Sequence, residues 1–330
     1  MAADLLPVPA AQLAGFSALG VDIADVLRRA NIARSRFGAA KAYVTTAEYF
    51  ALWRALEEVA PAPDLGLRIG TTSVPQLGSI AALHSATLGD ALAKLGRYKR
   101  LVCPEQITVE GVRGEARVRF EWLLAEAGPP RLLIDGIFAS VVAMARKGTG
   151  KAITPLRVEL ARRRGNEGML KKHFGCEIRF DAAADVLVFA KDALAEPFTT
   201  HNPQLLELVV PGLEAALRDE RRKRTLADDV RAALSQQING ERPAVERVAR
   251  TLGMSGRTLQ RRLAELGTTY QELLDDVRRR SARRLLAQTD LEASEVAFLL
   301  GFEEMNSFTR AFHDWEGTTP LRWRSKGARV

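Results

Sequence analysis

Val248-Ala249-x-x-Leu252-Gly253 recurs 48 residues later as Val296-Ala297-x-x-Leu300-Gly301. Each copy leads into a segment of one form, Leu259-Gln260-Arg261-Arg262-Leu263 in the first and Phe308-Thr309-Arg310-Ala311-Phe312 in the second, with one extra residue in the second turn. In the first copy Val245, Val248, Ala249 and Leu252 keep the i, i+3, i+4, i+7 spacing of a buried helix face. Pro243 suits the first turn of that helix. Gly253 supplies the sharp bend, since a residue without Cβ takes positive φ at no steric cost. Ser255 is placed to cap the next helix, on which Leu259, Leu263 and Leu266 are expected to face inward. The plain reading is two helix-turn-helix units in tandem.

Between the units, residues 270–287 predict a long helix with Leu273, Leu274, Val277, Leu285 and Leu286 on its apolar side, long enough to act as a rigid connector. Its arginines between 278 and 284 suit structural salt bridges and backbone phosphate contacts better than base reading. In the second unit Val296, Ala297 and Leu300 form the buried face, Gly301 the turn and Phe302 a plug. A helix from about 304 buries Phe308, Phe312 and Trp315, Gly317 closes it, and Trp323 packs back.

The outward residues carry the chemistry. Arg257, Gln260 and Arg261 in the first unit, and Asn306, Thr309 and Arg310 in the second, predict a double-stranded DNA interface. The paired donors and acceptors of Arg, Gln and Asn match guanine and adenine edges in the major groove. A rigid connector would set the two reading helices about 34 Å apart, in successive major-groove segments. The site then spans roughly two turns of duplex and need not be palindromic. A lone pattern of this kind is often plain helix packing. Two copies in register, both with Arg at the matching outward place, argue against that.

Composition sets bounds without deciding the matter. The 330 residues, 47% hydrophobic and 27% charged, suffice for two cores. The formal charge of +8 is compatible with nucleic acid, but the surplus divides evenly between residues 1–222 and 223–330, so placement of the arginines matters more than their number. No apolar run is long enough for a transmembrane helix, no secretory signal is visible, and the two cysteines, Cys103 and Cys176, fit a reducing cytosol. A cytoplasmic protein, nucleoid-associated when on DNA, is expected. His84, His173, His201 and His313 are scattered, so neither metal nor cofactor is expected. The absence of a G-x-S-x-G elbow or Walker loop argues against an enzyme.

Upstream, residues 1–60 read as helices, the last capped by Thr45 or Thr46 and stopped by Pro61 and Pro63. A turn is expected at 74–78 and two short helices at 80–87 and 89–101. Alternating residues at 106–112 and 115–123 predict a hairpin. A helix at 131–146, strands at 156–160, 177–180 and 186–189, and a helix at 167–174 complete an α+β domain. Residues 202–224 are helical again, with Leu206, Val209 or Val210, Leu213 and Leu217 as a seam that Pro211-Gly212 should kink or break. The charged run 218–224 is the linker candidate.

At Leu252-Gly253-Met254-Ser255-x-Arg257-Thr258-Leu259-Gln260-Arg261-Arg262-Leu263, and at Gly301-Phe302, Ser307-Phe308-x-Arg310-x-Phe312, Gly317-x-x-Pro320-x-x-Trp323-Arg324, the chain resembles the AraC/XylS family of bacterial transcription regulators over residues 225–326. The resemblance implies sequence-specific promoter binding, with Arg257, Gln260 and Arg261 on one groove segment and Asn306, Thr309 and Arg310 on the next. Asn306, His313 and Trp323 depart from the residues the family often carries, and because the first two are expected on the DNA side, the operator is not transferable. Residues 1–205 are similar to the arabinose-binding-like regulatory domain of one branch, through Pro75-x-x-Gly78, Leu88-Gly89-x-Ala91-Leu92 with Tyr98, Phe174-Gly175, Phe180-Asp181, Leu194-x-x-Pro197 and Pro203. That implies effector sensing and self-association.

The expected architecture is an α+β regulatory domain (1–205), a helical linker (206–224) and an all-α tandem helix-turn-helix domain (225–330). The expected function is a regulator of transcription, more commonly an activator, answering to a small-molecule effector. It would act as a homodimer, with RNA polymerase as a further partner if it activates. The rivals are an effector-independent regulator controlled by abundance and an enzyme fused to a DNA-binding module.

Overall fold

The computed structural model describes all residues except 1–3, 38–40, 73–75, 126–127, 224, 239, 241 and 328–330. Pro75, part of the turn expected at 74–78, and Arg224 at the end of the basic run lie outside the described residues, as do the side chains of 220–223.

The chain opens with β1 (Leu6–Pro9), α1 (Ala10–Ala18), α2 (Ile23–Arg29) and β2 (Lys41–Val44), the two strands pairing antiparallel. This corrects the all-helical expectation for residues 1–60. Strands of four residues, one with Pro at two positions, are too short to show a period of two. Next come α3 (Thr46–Val59), α4 (Leu65–Thr72), α5 (Leu77–Leu83) and α6 (Leu88–Tyr98). Thr45 and Glu48 cap α3 reciprocally.

Then follow the hairpin β3 (Glu105–Val112) and β4 (Glu115–Trp122), α7 (Arg131–Thr149), β5 (Arg157–Glu159), α8 (Glu167–Phe174), β6 (Glu177–Arg179) and β7 (Asp185–Ala190). The five strands form one sheet in the order β3-β4-β7-β5-β6, antiparallel except for the β5–β6 pair. Alternation along the strands turns Ile107, Val118, Phe120, Leu187 and Phe189 into the core with α7. On the other face Val186 and Val188 are buried beside Arg117, Arg119, Arg157 and Glu159, their register partners. Arg157 pairs with Glu115 at 2.6 Å and Glu159 at 2.8 Å, and Arg117 with Glu159 at 2.6 Å. Arginine stems can shield apolar side chains while their heads stay paired in water.

Helix α9 (Pro203–Lys223) continues through Pro211, so of the expected kink or break the break does not occur. Pro211 and Gly212 are exposed, so water can satisfy the carbonyl that loses its partner. The expected seam exists, and it packs on this domain: Leu213 and Leu217 are buried with Ala81 and Tyr98. Arg97 and Tyr98 of α6 bind Glu214 of α9.

The C-terminal domain has its own core and is all helical: α10 (Leu226–Gln237), α11 (Val245–Thr251), α12 (Gly256–Glu265), α13 (Tyr270–Gln288), α14 (Ala293–Leu299), α15 (Met305–Glu316) and α16 (Pro320–Gly327). Two units, α11–α12 and α14–α15, flank the connector α13. Among the described residues no single helix is long and apolar enough to cross a membrane.

Candidate nucleic-acid interface

The two units are built alike. Val248 and Ala249 in α11, and Val296 and Ala297 in α14, are buried. Gly253 and Gly301 turn the chain at φ of 71° and 70°, a region where a Cβ is strained. The Ser255 hydroxyl accepts the Thr258 N–H at 3.2 Å and starts α12. Leu259 and Leu263 anchor α12 from beneath, and Phe308 and Phe312 anchor α15. Leu266 departs from expectation: it caps the end of α12 and is 50% exposed. Pro243 sits one residue before the Ala244 cap of α11 rather than in its first turn.

With those anchors fixed, helical geometry decides what faces water. Arg257, Gln260 and Arg261 are exposed on α12, and Asn306 and Arg310 are exposed on α15. Arg261 has an i,i+4 partner in Glu265 at 3.8 Å, in an arrangement more than half exposed on both sides. Such a pair contributes little, so the guanidinium is available. Thr309 is half-buried and its hydroxyl donates to the Met305 carbonyl at 3.0 Å.

The connector explains its arginines. Arg278 is buried and donates to the carbonyls of Leu300 and Gly301. Arg279 and Arg283 reach Glu316 at the end of α15, at 2.7 and 3.9 Å. Arg280 pairs with Asp276 at 3.0 Å. At the start of α13 Tyr270 Oη donates to the Pro243 carbonyl at 2.8 Å, and at its C-terminal end Arg324 of α16 donates to the carbonyls of Leu286 and Leu291. One rod thus grips both units. The spacing suggested salt bridges here, but nothing local marked Arg278 as a clamp on the second turn.

The connector also touches the N-terminal domain. Arg163 N–H donates to the Gln288 carbonyl at 2.6 Å, and the Asp290 N–H donates to Asp181 Oδ1 at 2.7 Å. Gln288 reaches the Pro129 carbonyl at 3.2 Å, and Arg280 the Leu123 carbonyl at 3.1 Å. The last turn of α13 is therefore capped by the other domain.

Elsewhere the candidates thin out. Burial pushes the Cys103 thiol up to about 12 and the Cys176 thiol up to about 11, unlike a catalytic nucleophile. The His84 and His201 rings bind carbonyl oxygens of Thr200 and His84.

Residues 20–198 match the family described as the arabinose-binding domain of AraC transcription regulator, N-terminal, and residues 248–326 match a helix-turn-helix domain. The ornithine utilization regulator of Pseudomonas aeruginosa is 32% identical over 269 residues, 79% of this chain and 78% of that protein. The transcriptional regulator VirS of Mycobacterium tuberculosis is 28% identical over 317 residues, 94% of this chain and 92% of that protein. The crystal structure of the transcriptional regulator CdpR from Pseudomonas aeruginosa aligns over 94% of this chain and 98% of that one, with a TM-score of 0.45 and 22% identity.

Proposed function

The chain belongs to the AraC family of transcription regulators, whose members are regulators and not enzymes, and on that premise we propose a one-component regulator that couples a metabolite signal to promoter binding. The observation that carries it is the pair of outward helices, α12 and α15, held on one connector whose far end is capped by the other domain. Residues 225–330 bind duplex DNA. Arg257, Gln260 and Arg261 read one major-groove segment and Asn306, Thr309 and Arg310 the next.

Residues 1–205 sense a small molecule. The match to a ligand-binding family and a relative named for the use of one metabolite support that reading. Residues 206–224 lead to the DNA-binding domain and supply the contact between protomers of a homodimer. The inner side of α9 is taken by its own domain, and Leu208, 80% exposed, marks the side left for a second copy. Activation through RNA polymerase, in the cytoplasm and on the nucleoid, is the expected output.

The test is to recover and sequence genomic fragments bound by the purified protein at moderate salt. A few enriched sites sharing an asymmetric motif about two turns long are expected. Uniform recovery with steep salt dependence would mean phosphate binding alone and would sink the reading of the two helices.

A further inference from the structure

Of the four histidines, three belong to the N-terminal domain and one, His313, to the DNA-binding domain, which has no cysteine from residue 225 onward. His84 and His201 bind backbone carbonyls, and His173 is half-buried against the Phe174 ring, where burial pushes its pKa down. His313 is exposed in the last turn of α15. Among the described residues its ring enters no hydrogen bond or ion pair.

Helical geometry puts that ring on the reading face. Asn306, Arg310 and His313 stand at i, i+4 and i+7, within about 60° of one another around the axis, on the side away from the buried Phe308 and Phe312. At about 1.5 Å per residue, His313 lies about 4.5 Å beyond Arg310 and about 10 Å beyond Asn306. A reading helix touches base edges with its N-terminal residues. The major groove is about 12 Å wide, while the 12 residues of α15 extend about 18 Å. The last turn therefore leaves the floor of the groove and meets the phosphate rim.

The neighbouring charges are engaged elsewhere or lie on the same face. Arg310 is one turn back. Glu316, one turn ahead, is held by Arg279 and Arg283 of α13 at 2.7 and 3.9 Å. Asp314 is adjacent in sequence and so points elsewhere around the helix, and Glu303 and Glu304 precede the opposite end of α15. On α14, Glu292 and Glu295 form the capping box of their own helix. On α16, Arg324 donates to the Leu286 and Leu291 carbonyls, and Arg322 is exposed. The C-terminal carbonyls of α15 favour a positive ring beside them.

We propose that His313 is a proton-dependent phosphate contact, so that affinity for duplex DNA falls as pH rises through the histidine range. A histidine side chain gains its positive charge between about pH 8 and 5. A phosphate oxygen beside the ring favours the charged form, so binding takes up a proton. The contact is then fully present at the acid end of that range and is lost as pH rises and the bound ring gives up its proton. The base-reading side chains do not titrate there, so total affinity changes while sequence preference does not. The proposal rests on the reading of α15 as a DNA-binding helix.

The full-length protein is titrated with a selected operator and with random-sequence duplex at about pH 6 and about pH 8, at matched ionic strength. From the lower to the higher pH, wild-type affinity should fall about three- to tenfold on both duplexes, between the effect of an exposed ion pair and that of a charged hydrogen bond. The salt dependence should become shallower by about one counterion. His313→Gln should bind at both pH values as the wild type does at the higher one, and His313→Lys as the wild type does at the lower one. An unchanged wild-type affinity, the same pH dependence in His313→Gln, or a loss confined to the operator overturns the proposal. Tight operator binding with a flat pH profile removes the His313 contact and leaves the DNA-binding reading intact. No saturable binding of either duplex at either pH overturns both.

Discussion

The guanidinium carbon of Arg278 lies 4.2 Å from the centre of the Phe302 ring. Its Nε donates to the Leu300 carbonyl at 2.9 Å and its Nη2 to the Gly301 carbonyl at 2.7 Å. One connector side chain thus satisfies the carbonyls at the bend of the second unit and stacks on the aromatic that plugs it. Arg278 is 4% exposed, and burial pushes its pKa below the usual arginine value; an arginine stays charged regardless.

Replacing Arg278 by Ala should therefore expose the second unit to local unfolding. Two buried carbonyls lose their donor, and removal of a buried hydrogen-bonded charge costs about 3 kcal/mol. Arg278→Lys should cost about 1–3 kcal/mol, since a point charge cannot serve both carbonyls and the ring. In a two-domain protein hydrogen exchange is the right readout. Protection in α14 and α15 should fall while that in α7 is unchanged. Unaltered protection in Arg278→Ala would remove the clamp from the argument.

The repeat was legible because each of its signals is local: a 3.6-residue period, a glycine at the bend and a serine cap all lie within a few residues. The α+β texture was legible in the same way at β3, β4, α7 and α8. What escaped depends on distant partners. Helix α4 carries Gly66 and Gly70, which weaken a helix on propensity and are required by what lies against it. Pro211 reads as a breaker but sits on the solvent side of α9. The inward role of Arg278 and the backward turn of the Thr309 hydroxyl cannot be told from an outward Arg or Thr by spacing.

Gly70 gives a sharp test of that close approach. A Cβ there would fall 2.0 Å from the Gly136 carbonyl oxygen and 2.9 Å from the Ala139 Cβ, both on α7. The obstacle is the backbone of a packed helix, so Gly70→Ala should cost about 3 kcal/mol or more, the upper end of overpacking. Gly15 on α1 has nothing within 4 Å, and Gly15→Ala there should gain roughly 0.5–1 kcal/mol. Thermal unfolding of both variants checks the contrast. A tolerated Gly70→Ala would mean that α4 and α7 can separate freely.

Helix α9 should respond to acid through one carboxylate. Glu214 takes Arg97 Nε and Nη2, both at 2.6 Å, and the Tyr98 hydroxyl at 2.8 Å. The Arg97 bonds, with Tyr98 second, hold its carboxyl down to about 2. A depressed carboxylate contributes stability above its unfolded pKa, about 4.3, and loses it as pH falls toward the folded value. Exchange protection of α9 should therefore drop between those limits, by a modest amount because the pair is partly exposed. Arg97→Gln should be weaker at neutral pH and flat across that window. Identical acid profiles for the two proteins would show that α9 is held by its apolar seam alone.

Arg310 separates base reading from simple attraction to phosphate. It stands exposed on α15 at the place that Arg261 occupies on α12, with Phe308 and Phe312 fixing the helix beneath it. Against a selected operator, Arg310→Ala should cost about 1–3 kcal/mol and relax discrimination at one or two base pairs. Arg261→Ala should do the same at positions about one helical turn away, as the proposed placement of the two helices in successive groove segments requires. Binding to random duplex should change little in either variant. A loss of equal size on random DNA, with a salt dependence shallower by about one counterion, would make the residue a phosphate contact. Overlapping footprints for the two variants would instead mean that the rod does not place its helices in separate segments of the groove.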